Sequence, residues 1–561
     1  MKPFLQERWV ELISMDHAYS MLELDRMPEY GFTAATLWSS FEANPPAQYD
    51  NYFYSLPVVY TGKYADLNSL RDQERIRHAA DFLREFSRRA HHHGMKVMHV
   101  YHLCNFVAQP IQIFGVDRVT PIVEALRRVR PDWFNAHGEV DFAQDAFYDF
   151  MAAEVEAFFD QFPHLDGLFC WNCECSAFTP TRLKHQTVSK LEIAARAMRA
   201  VYDVCRKRNK LMSHDIHTAG ADKELTRGII AAAGDCPDLI LGADATYSDW
   251  QLHLPTTPWL AEMGRKNRIY VGFDAAGEFF GQGRTIAGWP RWTAKHFEAA
   301  KEHEAFSAIT VRSSVSSKAT CCTLLPMLEF NLRHIATLAR DGSADIDRLI
   351  VEWWSRHFSG ELPDGMKELF LSFEEIIGSA LYINGTNVTE YYPDHSFAPK
   401  AITNVPGFPI WHSEEFARVG TPIPEIMAVM IPEWGQRVRP VEELREEKRH
   451  AMRLCDAALS RLAEIPMAVE DREYFQRRIA QMRDVAEVFL GAIDVTYPLY
   501  QLFIEHHDKT LTDPKRALRD ALHSLRTLAD AIEKRWGSQF YRRMPEKMRS
   551  FADSVPAMYY N

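Results

Sequence analysis

The chain has 561 residues, 47% of them apolar and 25% charged, with a formal net charge of −12. A chain of this size and composition can bury a large core without cross-links and has room for one large domain and a second. The acidic balance argues against a nucleic-acid binder, which needs a basic face, yet allows an anionic small ligand held by local arginines. The nine cysteines are an odd number, which argues against a disulfide framework and fits free thiols in a reducing compartment. The opening MKPFLQERWVELISMD has no apolar leader, and no run of about 18 apolar residues offers a membrane span. A soluble, cytoplasmic type of chain without a membrane partner is therefore expected, and the sequons at Asn384 and Asn387 carry no weight.

In chain order, short apolar runs alternate with helical patterns over the first 340 residues. The runs are VELISMD (10–16), TAATLW (33–38), KVMHVYH (96–102), GLFCWN (167–172), KLMSHDIH (210–217), DLILGAD (238–244), RIYVGFD (268–274) and AITVRSS (308–314). Near-continuous apolar runs of this length predict strands buried on both faces. Segments such as SLRDQERIRHAADFLREFSRRAHHHG between them have the helical period. Eight strand–helix units predict a (β/α)8 TIM barrel over residues 1–340. Residues 341–561 read as an all-α helical domain, in which Leu444, Ala451, Cys455, Ala458 and Leu462 form a core stripe at helical spacing. An aromatic and proline-rich segment at about 383–440 interrupts it. A segment of that kind usually covers a site or joins subunits, and Trp411 within it suggests a lid or a homodimer contact.

In a barrel, chemistry belongs at the carboxyl ends of the strands. Strand one is read as ending in Asp16 and His17, strand two near Trp38 and Ser39, and strand three in His102 and Asn105. Strand four gives Asn172 and Glu174, and strand five gives His214, Asp215 and His217. Strand six gives Asp244 and then Tyr247, strand seven Asp274 and Glu278, and strand eight Arg312. The segment after strand three adds Arg130, Asp132, His137 and Glu139. Carboxylates, imidazoles and aromatics around one mouth suggest carbohydrate chemistry, since rings stack on sugar faces and carboxylates move protons. No glycine-rich phosphate loop follows any strand, so no nucleotide cofactor is expected.

The cysteines of FCWNCECS raise a metal question. Cys170, Cys173 and Cys175 lack a second spaced ligand pair, and Cys170 and Cys173 point to opposite faces of a strand. His214 and Asp215 offer better ligands, but strand one lacks the His-x-His pair common in metal-dependent barrel hydrolases. No metal or other cofactor is expected. One catalytic reading then pairs Glu174 with Asp274 or Glu278. It resembles the plan of many retaining barrel glycosidases, with an acid/base glutamate on strand four and a nucleophile on strand seven. Here Cys173 separates Asn172 from Glu174, one residue more than in that plan.

A second reading rests on a resemblance. ELISMDHAYS at strand one, WFNAHGEVDF after strand three, a barrel and a helical C-terminal domain are similar to the glycoside hydrolase family 156 sialidases. The resemblance implies an inverting exo-sialidase releasing terminal sialic acid, with Asp16 as base and His137 as acid. A sialoside carries a carboxylate on its anomeric carbon, so a water activated by a distant base avoids pressing two anions together. An imidazolium donor is attracted to such a substrate. Its carboxylate would need an arginine fork, from Arg312, Arg284 or Arg130. Asn172, Glu174, His102, His214, Asp215 and Asp274 complete the expected substrate pocket. A sugar-binding barrel without catalysis is the reading from a different class.

Overall fold

The computed structural model describes residues 3–13, 16–41, 56–103, 126–171, 184–216, 223–246, 250–314, 322–383, 386–387, 441–503, 511–538, 540 and 543–559. Asn105, Asn172, Cys173, Glu174, Cys175, His217, Tyr247 and the stretch 388–440 lie outside them.

Eight parallel strands close into a barrel. They are β1 (Glu7–Leu12), β2 (Ala34–Leu37), β3 (Lys96–His102), β4 (Gly167–Trp171), β5 (Leu211–Asp215), β6 (Ile240–Asp244), β7 (Arg268–Asp274) and β8 (Phe306–Arg312). Helices α1 (His17–Arg26), α2 (Gln73–His92), α3 (Asp145–Gln161), α4 (Lys190–Lys207), α5 (Lys223–Ala233) and α6 (Pro290–Lys301) fall between them. All eight apolar runs are strands, as the two-sided burial predicts. The first is shifted: its apolar run spans 10–16, but β1 ends at Leu12, and Asp16 lies past the strand as the N-cap of α1.

Alternate residues of each strand face the axis. Trp9, Ala34, Met98, Val100, Phe169, Ile240, Tyr270 and Ala308 fill the interior as one cluster. The opposite set, including Val10, Leu37, Cys170 and Val271, packs outward into the helical shell. Tyr270 lies over Gly242, its partner across the β6–β7 pair. A Cβ built on Gly242 would come within 1.7 Å of the Tyr270 ring, so only glycine fits. This plug fills the barrel's lower half and leaves chemistry to the carboxyl ends of the strands.

Beyond β8 the described chain is helical apart from a short two-stranded ribbon, with α7 (Pro326–Asp341), α8 (Ile346–His357), α9 (Met366–Ala380), α10 (Val441–Glu464), α11 (Val469–Phe503), α12 (Pro514–Trp536) and α13 (Met544–Tyr559). The stripe Leu444, Ala451, Cys455, Ala458 and Leu462 is buried, as its spacing predicts. Lys448 on the same face is fully buried. Its ammonium donates to the carbonyls of Ser379 (2.6 Å), Ala380 (3.3 Å) and Tyr382 at the end of α9. A cation there satisfies carbonyls that the helix leaves open and complements its dipole. Tyr382 in turn donates its hydroxyl to the Phe279 carbonyl at 2.9 Å, which ties this region to the loop after β7. No described helix is long and apolar enough to cross a membrane.

Candidate active site

The register places Asp274, Arg312 and Glu11 side by side across β7, β8 and β1. All three sit on the inward parity, at the carboxyl ends of their strands. The Arg312 guanidinium lies 4.1 Å from the Trp250 ring and 5.3 Å from the Trp38 ring. It forms an ion pair with Glu278, and its Nε lies 3.8 Å from Glu11 Oε2. Flanked by indoles and only 6% exposed, a charged fork is held by cation–π contact and opposite charge together.

Glu11 accepts from the Trp38 indole (2.9 Å) and the Thr310 hydroxyl (2.7 Å). Burial raises its pKa, with Arg312 and the two donors opposing. Asp274 is fully buried and accepts from the amides of Gly277 (3.0 Å) and Glu278 (2.5 Å). Burial pushes its pKa up to about 6 against the pull of Arg312 and these amides. Gly277 has φ +75, and a Cβ there would meet Trp289 at 2.7 Å, so the tight turn needs glycine. Asp274 thus anchors the turn that aims Glu278. Across the mouth, Asp215 accepts from the Tyr270 hydroxyl at 2.6 Å. Trp171 packs edge-on against Trp38 at 4.6 Å, and His102 lies 5.7 Å from Trp171.

The structure sorts the sequence candidates. Arg312, Glu278, Asp274, Asp215, Asp244 and His102 are at the mouth and buried. Asn172 and Glu174 lie outside the described residues, just past Trp171. His214 departs from the expected pocket position. Alternation puts Asp215 on the axis and His214 outward, in register with Cys170, which packs into the shell. Burial, with a smaller push from His102, takes the His214 pKa down to about 3. Cys170 itself is a buried free thiol whose pKa burial raises well above the ordinary value. Asp16 accepts from the amides of Ala18 (2.9 Å) and Tyr19 (3.2 Å), which makes it a helix cap. His137 is exposed, with its ring stacked at 3.9 Å on His185, whose Nδ1 lies 3.3 Å from Glu139. Arg130 is spent on Asp66 (2.6 Å) and lies over Tyr64 and Trp133. Arg284 is exposed and lines a cleft against α11.

Sequence reasoning missed Glu11 and Tyr270. The signal for Glu11 was present: in WVELI a carboxylate sits on the same parity as Trp9 and Ile13. Among the described residues, no group of three or more His, Cys, Asp or Glu could hold a metal ion.

No protein-family model matches the sequence, and no curated protein matches it. Several solved structures align with it. One, described as a GH138 enzyme targeting pectin rhamnogalacturonan II, aligns with a TM-score of 0.58 at 12% identity, covering 100% of this chain and 85% of that one. CpGH84B aligns at 0.39 and 9% identity over 98% of this chain and 77% of its own. A beta-N-acetylhexosaminidase aligns at 0.35 and 11% identity over 64% of this chain and 78% of its own. These neighbours are glycoside hydrolases, and at such identities the first shows a common fold.

Proposed function

We propose that the chain is a glycoside hydrolase, exo-acting on an acidic sugar held over the barrel mouth. The observation that carries this reading is Glu278. It is a carboxylate 8% exposed, aimed by the Asp274 turn, beside Arg312 and the indoles of Trp38 and Trp250. The two indoles, themselves 4% and 2% exposed, hold the Arg312 fork at the mouth where a substrate carboxylate can meet it. A substrate carboxylate competes with Glu278 for the Arg312 fork, which frees Glu278 towards the anomeric carbon. Glu278 is then the carboxylate at the anomeric centre, and Glu174 beyond β4 is the proton donor to the leaving oxygen. Glu278 takes this role rather than Asp274, whose two oxygens are bound to backbone amides. The GH138 enzyme's description, targeting a pectic glycan, supports the substrate class.

A second reading, an inverting sialidase, is favoured by the stack of His137 on His185 beside Glu139. There His137 protonates the leaving oxygen while Asp16 takes a proton from the attacking water. A panel of aryl glycosides of sialic, glucuronic and neutral sugars separates these readings. The first expects cleavage of an acidic sugar and a loss of about 10³-fold in kcat for Glu278→Gln. Full activity of Glu278→Gln with a dead His137→Ala, and an inverted first-formed anomer by proton NMR, would shift the assignment to the sialidase. If no glycoside in the panel is cleaved, both readings fail.

A further inference from the structure

A cleft of about 680 Å³ opens between the loop after β7 and the helical region, lined by Gln282, Arg284, Tyr474, Arg477, Trp536 and Phe540 among others. It is built from parts that are fixed in place. The Trp536 indole N–H donates to Asp484 at 2.5 Å, and Asp484 is fully buried and also receives Arg535 at 2.5 Å. The Trp536 ring is therefore pinned through its polar edge, and it stacks beside Phe540 at 6.2 Å and 19°. Arg478 spans the cleft's base. It donates to the carbonyls of Gly283 (2.7 Å) and Thr285 (2.9 Å) and covers Tyr474 at 4.4 Å. Those carbonyls follow Gln282, a non-glycine residue held at φ 53. A left-handed backbone there persists because the surroundings over-determine it.

The wall's charges are mixed: Arg478 is committed to the loop carbonyls, whereas three others on α11 are not. Arg477, Glu470 and Glu473 are exposed and make no ion pair among the described residues. A multiply charged phosphate would meet Glu470 and Glu473 as like charges. A ligand with many hydroxyls and at most one carboxylate instead finds guanidinium donors, carboxylate acceptors and an immobile indole. We infer that this cleft is a second saccharide site, taking a sugar unit with at most one carboxylate from the glycan on which the mouth acts. The inference rests on the glycosidase reading for that choice of glycan. The same loop carries Glu278 at the mouth and Gln282 to Thr285 at the cleft, so one chain segment borders both sites.

The test is hydrogen–deuterium exchange of the full chain, titrated with trigalacturonate, sialyllactose, maltotriose or inorganic phosphate. At least one saccharide is expected to protect the peptides covering 470–481 and 534–540. In Arg477→Ala combined with Trp536→Phe, that protection should need at least about tenfold more ligand, about 1.4 kcal/mol. Arg477 is exposed, so Arg477→Ala alone serves as the variant certain to fold. Glu278→Gln should keep the cleft protection, which distinguishes failure of the second site from failure of the hydrolase reading. Cleft peptides unprotected by every saccharide at millimolar concentration, protection unchanged in the cleft variants, or protection by phosphate alone would each overturn the inference.

Discussion

The mouth and the cleft are bordered by one loop, yet they handle charge in opposite ways. At the mouth, Glu11, Asp274, Glu278 and Arg312 are each under 9% exposed and bound to one another, to indoles or to backbone amides. At the cleft, Arg477, Glu470 and Glu473 stand in solvent. A buried charge must be matched, so its position is dictated to a fraction of an ångström. An exposed one is free to meet a ligand but adds little to the fold. The difference predicts that mutations at the mouth will cost activity and stability together, while those at the exposed charges of the cleft cost binding alone.

The largest expected effect is at Glu278. Glu278→Gln should lower kcat by about 10³-fold while also leaving Arg312 buried beside a neutral amide, so thermal unfolding should shift down as well. A fully stable, fully active variant would erase the distinction between the two regions. Next comes Asp274→Ala, which strips two buried amides of their acceptor. A loss of about 2–4 kcal/mol in urea unfolding is expected from unsatisfied donors, with activity falling because the Glu278 turn is released.

The third expectation concerns pH. Burial lowers the pKa of His99 to about 4 and of His214, His296 and His334 to about 3. These imidazoles are neutral in the folded chain and protonate on unfolding, so their stabilisation is present above about pH 6.5 and lost as pH falls towards 3. Asp274, raised to about 6, and Glu374, raised to about 7 by burial, act in the other direction, losing stability as pH rises through those values. Glu11 and Glu154, also raised by burial, act in the same direction as these two, so the histidine contribution is read by difference: in His334→Gln the slope of urea stability against pH between 5 and 6.5 should fall by about 1 kcal/mol per pH unit. An unchanged slope would show that this buried imidazole is already protonated in the folded chain. The fourth effect is smaller. Arg478→Ala removes two bonds to loop carbonyls and should cost about 1–3 kcal/mol. The smallest is Arg477→Ala, expected to change stability by less than about 0.5 kcal/mol. A larger loss would mean that the cleft is structural, like the mouth.

Much of this arrangement was legible in the chain. Strands buried on both faces leave continuous apolar runs, so β2 to β8 could be read nearly residue by residue. The stripe from Leu444 to Leu462 was equally plain. Strand one is misplaced because it opens on the charged Glu7 and Arg8, while the apolar Ile13 and Met15 prolong the run past its end at Leu12, and Glu11 inside it has no evident role until its partners are known. Those partners, Trp38, Thr310 and Arg312, come from other strands, and a linear reading has no access to them. Asp274 is expected in the pocket, as a partner of Glu174 or a substrate contact, because it ends a strand. Its commitment to the amides of Gly277 and Glu278 is a property of the turn, visible only once the turn is folded. His214 is expected in the pocket with Asp215 because both end a strand, although alternation along β5 separates the two.

The contact between Gly242 and Tyr270 has a consequence for how such a pocket changes over generations. Tyr270 fills the space that any side chain at position 242 would need, and its hydroxyl holds Asp215 above. A deeper pocket requires a smaller residue at 270, which abandons Asp215. A larger residue at 242 is blocked until 270 has already changed. The order of mutation is thereby imposed by geometry: drift in specificity must come through the loops at the rim, while the depth of the pocket is inherited as a unit.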